Sequence, residues 1–136
     1  MTILTKHITV RKGFVIAGLM NLSVLIFSRF FTNQVIPKYD PVVMSNFGLL
    51  MIVVWGLAYI AVARKHTEVK WLVAVFAVEK LIYGLVWINW LCQNSITTVF
   101  EEDKMAGIFY AVYGVNDWVF FVFFSWVFGR CMSTKD

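Results

Sequence analysis

The chain has 136 residues, of which 60% are hydrophobic and 15% are charged, and its formal net charge is +4. With a mean hydropathy of +0.75, this composition excludes an ordinary soluble domain and predicts one integral membrane domain that covers residues 1–136. Nucleic-acid binding is excluded as well, because most basic residues lie in predicted tails and loops and form no basic stripe on a soluble face.

Four apolar segments follow one another, at about residues 13–36, 41–63, 71–93 and 105–129. Each is long enough to cross a hydrocarbon core of roughly 30 Å at a helical rise of 1.5 Å per residue. None alternates apolar and polar residues as the strands of membrane barrels do. The sequence therefore predicts an all-α membrane protein, a four-transmembrane-helix up-down bundle, because short connections make consecutive helices antiparallel neighbours.

The first segment begins behind a basic tail that contains Lys6, Arg11 and Lys12. Its apolar run is too long for the core of a cleaved signal peptide, and no cleavage motif follows it. We therefore interpret it as an uncleaved first span. Arg29 lies in the outer half of this span, and Asn21 lies at the edge of the same polar face.

The second segment opens with Asp40 and Pro41. Aspartate is favoured at the N-cap of a helix and proline at its first position, so this pair predicts the start of the second helix. Asn46 lies near the outer end of that helix, at about the depth of Arg29 on the first. We therefore expect an outer polar layer that contains Arg29 and Asn46.

Charged and aromatic residues gather on one face of the third segment. At 100° per residue, Glu79, Lys80, Tyr83 and Trp87 share one arc, whereas aliphatic residues cover the opposite side. In a membrane the aliphatic face of a helix meets lipid and the polar face turns to the bundle interior. These four side chains are therefore expected to point inward.

The fourth segment repeats this division. Thr98 and Glu101 form a capping-box pattern, which predicts that the fourth helix starts there. Within the apolar run, Tyr110, Tyr113 and Asp117 share one arc opposite a row of valines. We expect this arc to face the polar arc of the third helix.

Four ionisable residues lie inside the predicted spans, namely Arg29, Glu79, Lys80 and Asp117. Each costs roughly 2.5–3.5 kcal/mol at a bilayer centre, and the two positive charges balance the two negative ones, which favours an internal network. We predict that Lys80 pairs with Asp117 and that Glu79 is either partly protonated or accepts a hydrogen bond from Tyr113. Arg29 has two alternatives, since it either snorkels to the outer surface or reaches inward to a carboxylate.

The candidate ligand- or ion-binding residues combine these polar layers with the neighbouring aromatic residues. They are Glu79, Asp117, Lys80, Tyr83, Tyr113, Arg29, Trp87, Tyr110, Asn46 and Asn21. Ionisable residues inside membranes mark ion or ligand sites. The alternative is that these charged residues only fix the register of the helices.

No cofactor and no metal are expected. His7 and His66 lie outside the predicted spans, which argues against a histidine-held haem, and no cluster of ligand residues has metal-site spacing. Cys92 and Cys131 are predicted at opposite ends of the bundle, too far apart for a disulfide. Enzymatic activity is not expected, although carboxylates beside tyrosine leave acid–base chemistry on a lipid open.

Basic residues concentrate on one side of the predicted bundle. They lie in the N-terminal tail, the second loop and the C-terminal tail, which contains Arg130 and Lys135. The positive-inside rule then predicts that both termini are cytoplasmic. We expect an integral protein of a bacterial inner membrane.

Three functions remain open at this stage. The first is transport of an ion, a proton or a small solute, which we expect to require a homo-oligomer because four helices barely enclose a path. The second is a receptor-like binding protein for a lipidic or amphipathic small molecule, with membrane lipids as its surroundings. The third is an accessory subunit that docks its polar face on a larger membrane complex.

Overall fold

The computed structural model describes residues 2–134, and all regular secondary structure in that range is α-helical, as predicted. Lys135, one of the residues behind the predicted topology, lies outside the described residues. The helices are α1 (Ile3–Leu22), α2 (Val24–Phe27), α3 (Val35–Tyr39), α4 (Asn46–Val62), α5 (Lys70–Gln93), α6 (Ile96–Glu102) and α7 (Lys104–Ser133).

Three helical stretches are long and apolar enough to cross a membrane. They are α1 together with α2 (Ile3–Phe27), α5 with 24 residues, and α7 with 30 residues. The remaining apolar helix, α4, has 17 residues and is the shortest of the four. The lengths and composition of the three longer helices therefore support a membrane protein.

The first apolar helix begins and ends earlier in the chain than the predicted first span. It begins at Ile3 instead of residue 13 and ends at Phe27 instead of residue 36. Beyond that point Arg29, Phe30 and Phe31 adopt φ angles of 49°, 54° and 67°. This left-handed backbone costs roughly 1–2 kcal/mol per residue in L-amino acids and cannot continue a right-handed helix. Arg29 therefore lies beyond the helix and not inside it.

The predicted start of the second apolar helix, α4, is also wrong. A carboxylate oxygen of Asp40 accepts a hydrogen bond from the backbone N–H of Val43 at 3.0 Å, so it supports a turn. The N-cap of α4 is Ser45, whose hydroxyl oxygen accepts from the N–H of Gly48 at 3.1 Å. The helix begins at Asn46, several residues later than the aspartate–proline pair indicated.

The N-cap of α7 also differs from the predicted one. Thr98 and Glu101 belong to the separate short helix α6 and do not begin α7. Asp103 caps α7 instead, and its Oδ2 accepts a hydrogen bond from the N–H of Ala106 at 2.8 Å. The same carboxylate also accepts hydrogen bonds from Arg29 and Asn33, which lie between α2 and α3.

The four apolar helices pack in two antiparallel pairs, α1 with α4 and α5 with α7. In the pair α1–α4, Gly18 faces Gly56 so closely that a Cβ atom on Gly18 would lie 2.6 Å from the carbonyl oxygen of Gly56. In the pair α5–α7, Gly114 receives the indole of Trp87, and a Cβ atom there would lie 1.8 Å from the ring. Glycine is thus required where each pair approaches closely.

Two buried clusters join the pairs. The termini-side cluster lies toward the chain termini and includes Val10, Phe14, Tyr59, Phe76 and Phe124. The far-side cluster lies at the opposite end and includes Ile36, Leu49, Trp90, Val99 and Tyr110. The buried charged residues of α5 and α7, Glu79, Lys80 and Asp117, lie between the two clusters, with packed apolar side chains toward both ends.

We predict that Gly114→Ala destabilises the protein by about 1–3 kcal/mol, because the new methyl group overlaps the Trp87 ring and forces it to move. The measurement is thermal unfolding in detergent. Gly129→Ala is the matched control, since a Cβ atom at Gly129 meets nothing within 4 Å in the described part of the chain. Equal unfolding temperatures for the two variants would contradict the packing described here.

Candidate functional site

A small cavity lies where α1, α2, α5 and α7 meet, and Ile52 of α4 adds to its wall. The volume open to the centre of a water molecule is about 40 Å³, which is enough for roughly three waters. Apolar side chains form much of the wall. The polar lining residues are Asn21, Ser23, Glu79, Lys80, Tyr83, Tyr113, Asn116 and Asp117.

An ion pair between α5 and α7 lies at the cavity wall. The ammonium nitrogen of Lys80 is 2.8 Å from Oδ1 of Asp117 and 2.9 Å from Oδ1 of Asn21. It also lies 5.2 Å from the centre of the Tyr59 ring. The predicted pairing of Lys80 with Asp117 is therefore present. With Lys80 only 1% exposed, this cation is fully committed to partners within the chain.

Glu79 has a different partner from the one predicted. Its Oε2 accepts a hydrogen bond from the hydroxyl group of Tyr59 on α4, and not from Tyr113. Both Glu79 and Tyr59 are buried. The bond joins α4 to α5 across the two helix pairs, so the acid contributes to their association. A lone tyrosine inside an apolar helix was the only sequence signal for this contact.

Tyr113 contributes an unusual group to the cavity wall. Its side chain is 8% exposed, and its buried hydroxyl has no hydrogen-bond partner among the described residues. A buried hydroxyl without a partner costs about 1–3 kcal/mol, and such groups are rare enough to require an explanation. A polar group bound in the cavity supplies one.

Six of the ten candidate site residues line this cavity. They are Asn21, Glu79, Lys80, Tyr83, Tyr113 and Asp117. Trp87 and Tyr110 are adjacent but outside it. The indole N–H of Trp87 donates to the carbonyl of Tyr110 at 2.7 Å, and the hydroxyl of Tyr110 donates to the carbonyl of Ile36 at 2.6 Å. These two aromatic residues therefore hold the far-side cluster together.

The predicted outer layer does not form around the cavity. Asn46 is exposed at the start of α4 and does not line it. The side chain of Arg29 is 55% exposed and pairs with Asp103, at 2.9 Å, which corresponds to the outward alternative for this residue. The predicted balance of buried charges is therefore wrong, because one cation, Lys80, remains beside two carboxylates.

A second polar cluster ties the first connection to the start of α7. Asp103 accepts hydrogen bonds from Arg29 and from Asn33, the latter at 2.8 Å. Glu102 accepts from Lys38 at 2.5 Å and from Tyr39 at 2.6 Å. Four side chains of the segment between α2 and α4 thus bind two neighbouring carboxylates, which fixes the left-handed turn against the end of the bundle.

Hydrogen bonding lowers the pKa values of both acids in this cluster. Partial burial alone would raise the pKa of Asp103, but the hydrogen bonds from the Ala106 N–H and from Asn33 and Arg29 outweigh it. The pKa of Glu102 is lowered chiefly by the hydrogen bond from Lys38. Both carboxylates are therefore held in their charged form.

The most exposed lining residues of the cavity lie on α1 and α7, which indicates an opening at the side of the bundle between these two helices. Met20 and Val112 flank it there and are 36% and 37% exposed. The sequence does not reveal this mouth, because its residues come from two helices far apart in the chain. Neither residue carries a polar signal, and aliphatic side chains on a transmembrane helix ordinarily indicate lipid contact.

Among the described residues, the histidines and cysteines form no further candidate site. Among residues 2–134, no three histidine, cysteine, aspartate or glutamate side chains come together as metal ligands do. The ring of His66 is buried against Phe14, with its centroid 5.5 Å away. Cys92 and Cys131 are both free thiols. The cavity is therefore the feature of the described residues from which a function is best inferred.

No protein-family model matches the chain, and no curated protein and no solved structure is significantly similar to it. The function therefore cannot be inferred by analogy with a known fold. The function must be inferred from the side chains of the cavity.

We predict that Asp117→Leu destabilises the protein by about 3–5 kcal/mol, because Lys80 is left buried without its counter-charge. The double variant Lys80→Met/Asp117→Leu removes both charges and is expected to be more stable than the single variant. Chemical unfolding of all three proteins in detergent measures the difference. A double variant no more stable than Asp117→Leu would show that the pair is unimportant.

We predict that the stabilising effect of the Asp103 carboxylate disappears in acid. Because its folded pKa lies below the ordinary value of 3.8, the stabilisation is fully present above that value and is lost as the pH falls through the lower folded value. Unfolding temperatures of wild type and Asp103→Asn at pH 6 and below 3.8 measure this. The gap between the two proteins is expected to close in acid, and a constant gap would contradict it.

Proposed function

We propose that this protein binds a small amphipathic molecule inside a membrane. The polar end of the ligand occupies the cavity beside Glu79 and Asp117, and its apolar body lies between α1 and α7. The observation that carries the proposal is the buried, unpartnered hydroxyl of Tyr113 in a cavity that is open at the side of the bundle. A few convergent polar groups within an apolar wall are typical of small-molecule sites.

The proposal includes four membrane crossings with both termini in the cytoplasm. At 1.5 Å per residue, the 17 residues of α4 extend about 25 Å, close to the minimum for a crossing. Its antiparallel packing on α1 and its apolar composition favour that role. Arg64, Lys65 and Lys70 then share one side with the basic N-terminal tail, as in the cytoplasmic loops of inner-membrane proteins.

Binding fits the geometry better than transport. Transport requires a route from the cavity to each aqueous side, whereas the termini-side and far-side clusters fill the bundle on both sides of the charged residues. One cluster would have to open for an ion or solute to pass. We therefore place transport second, and the accessory role third because no surface of residues 2–134 points to a particular subunit.

The test narrows the mouth of the cavity in protein reconstituted into lipid nanodiscs. Val112→Trp places an indole at the mouth and is expected to reduce binding of 4-phenylbutylamine or 4-phenylbutanol at least about tenfold, a loss of about 1.4 kcal/mol. The matched control is Val119→Trp, which changes another exposed valine of α7 that does not line the cavity. Calorimetric titration measures both affinities.

Two results would contradict the proposed function. Equal affinities of Val112→Trp and Val119→Trp would place the ligand elsewhere on the bundle. Absence of saturable binding by the wild-type protein for either probe would remove the site altogether. Uptake of a solute by liposomes that contain the protein, abolished in Asp117→Asn, would instead favour transport.

A further inference from the structure

The charges around the cavity do not balance. Lys80 is the only buried cation among the described residues of the cavity wall, whereas Glu79 and Asp117 are both acids. Arg29, the second cation of the sequence pattern, is engaged with Asp103 at the far end of the bundle. When both acids are ionised, the cavity carries one uncompensated negative charge, which is costly in a dry interior unless one acid takes up a proton or a positive charge accompanies it.

The carboxylates also have unused oxygen atoms. Lys80 and Asn116 both approach Oδ1 of Asp117, at 2.8 Å and 3.5 Å. Tyr59 donates to Oε2 of Glu79. Among the described residues, Oδ2 of Asp117 and Oε1 of Glu79 accept no hydrogen bond. Two acceptor atoms therefore remain at the same cavity wall.

The hydroxyl oxygen of Tyr113 adds a third acceptor. A phenolic oxygen both donates and accepts hydrogen bonds, and this one has no partner among residues 2–134. A group with several N–H donors and one positive charge would satisfy all three oxygens. Such a group matches the cavity in charge and in hydrogen-bonding direction.

We infer that the polar end of the ligand is a primary ammonium group, so that the protein binds lipophilic amines. This inference rests on the proposed function, because it names the chemical class that occupies the same cavity. The ammonium donates to Oε1 of Glu79, to Oδ2 of Asp117 and to the hydroxyl oxygen of Tyr113. Lys80 remains with Asp117 and Asn21, and it stays in the wall.

The walls of the cavity favour the same class. Phe27, Tyr83, Phe109 and Tyr113 place aromatic rings around it, and aromatic faces attract cations. An anionic head would lie beside two carboxylates while Lys80 is already paired. A neutral hydroxyl head would satisfy Tyr113 but leave the negative charge without compensation.

The size of the cavity restricts the head further. About 40 Å³, the space of roughly three waters, accommodates an ammonium group, which is about as large as one water molecule, together with the first carbon atom bonded to it. A trimethylammonium group is larger and has no N–H donor. We therefore expect a primary amine to bind more tightly than its trimethylated analogue.

The test compares three probes that share one apolar body, namely 4-phenylbutylamine, 4-phenylbutanol and 4-phenylbutanoate, in nanodiscs of uncharged lipid. The amine is expected to bind at least about tenfold more tightly than the alcohol, because a hydrogen bond to a charged group contributes more than one between neutral groups. The carboxylate is expected to bind most weakly. Calorimetric titration gives the three affinities.

Glu79→Gln tests the source of the selectivity. The amide retains an oxygen that accepts from Tyr59 but carries no charge, so the preference for amine over alcohol is expected to fall to about twofold or less, while the alcohol still binds. Glu101→Gln is the matched control, because it removes an exposed carboxylate outside the cavity. A preference unchanged in Glu79→Gln would overturn the inference.

Tyr113→Phe keeps the inference testable if Glu79→Gln fails to fold. It removes a hydroxyl that has no partner among the described residues, so the folded protein is expected to be at least as stable as wild type. Amine affinity is expected to fall several-fold, and an unchanged affinity would overturn the proposed contact.

The outcomes distinguish a failure of this inference from a failure of the proposed function. If none of the three probes binds, the proposed function itself fails. If the alcohol or the carboxylate binds as tightly as the amine and Val112→Trp abolishes that binding, the site stands and the cationic head is wrong.

Discussion

The ion pair between Lys80 and Asp117 is the constraint on which the architecture depends. Two charges removed from water require close partners. Lys80 donates hydrogen bonds both to Asp117 and to the amide oxygen of Asn21. These three residues come from α1, α5 and α7, so satisfying the ammonium fixes the relative positions of three helices. The cavity follows from the same arrangement, because the polar residues hold the helices where no large apolar side chain fills the space.

Part of this arrangement could be predicted from the sequence for a simple physical reason. An acid or a lysine in a long apolar run is conspicuous, and helical periodicity places Glu79, Lys80 and Asp117 on inward faces. Their depth then favours one pairing. Tyr59 was not predictable as the partner of Glu79, because a tyrosine in an apolar helix has no defined partner until the packing of α4 is known. The lateral mouth has no polar signal at all.

The error over Arg29 has a more general physical origin. Residues 28–36 mix four apolar residues with five polar ones, and no glycine or proline marks a turn between Ser28 and Ile36. The backbone nevertheless turns there. The side chains of Arg29 and Asn33 donate hydrogen bonds to Asp103, and the N–H of Phe31 donates to the hydroxyl oxygen of Ser28. These partners lie on the turn itself and at the start of α7. Tertiary contacts thus override a local pattern, and the buried charge count changes with them.

The unequal lengths of the apolar helices have a consequence for the surrounding lipid. In the proposed topology, α4 extends about 25 Å and the 30 residues of α7 extend about 45 Å. A bilayer with a hydrocarbon thickness of roughly 30 Å matches neither length, so it is compressed near α4 while α7 tilts or projects into the headgroup region. A thinner bilayer suits α4 and a thicker one suits α7, so the thickness of the host bilayer sets how far α7 tilts.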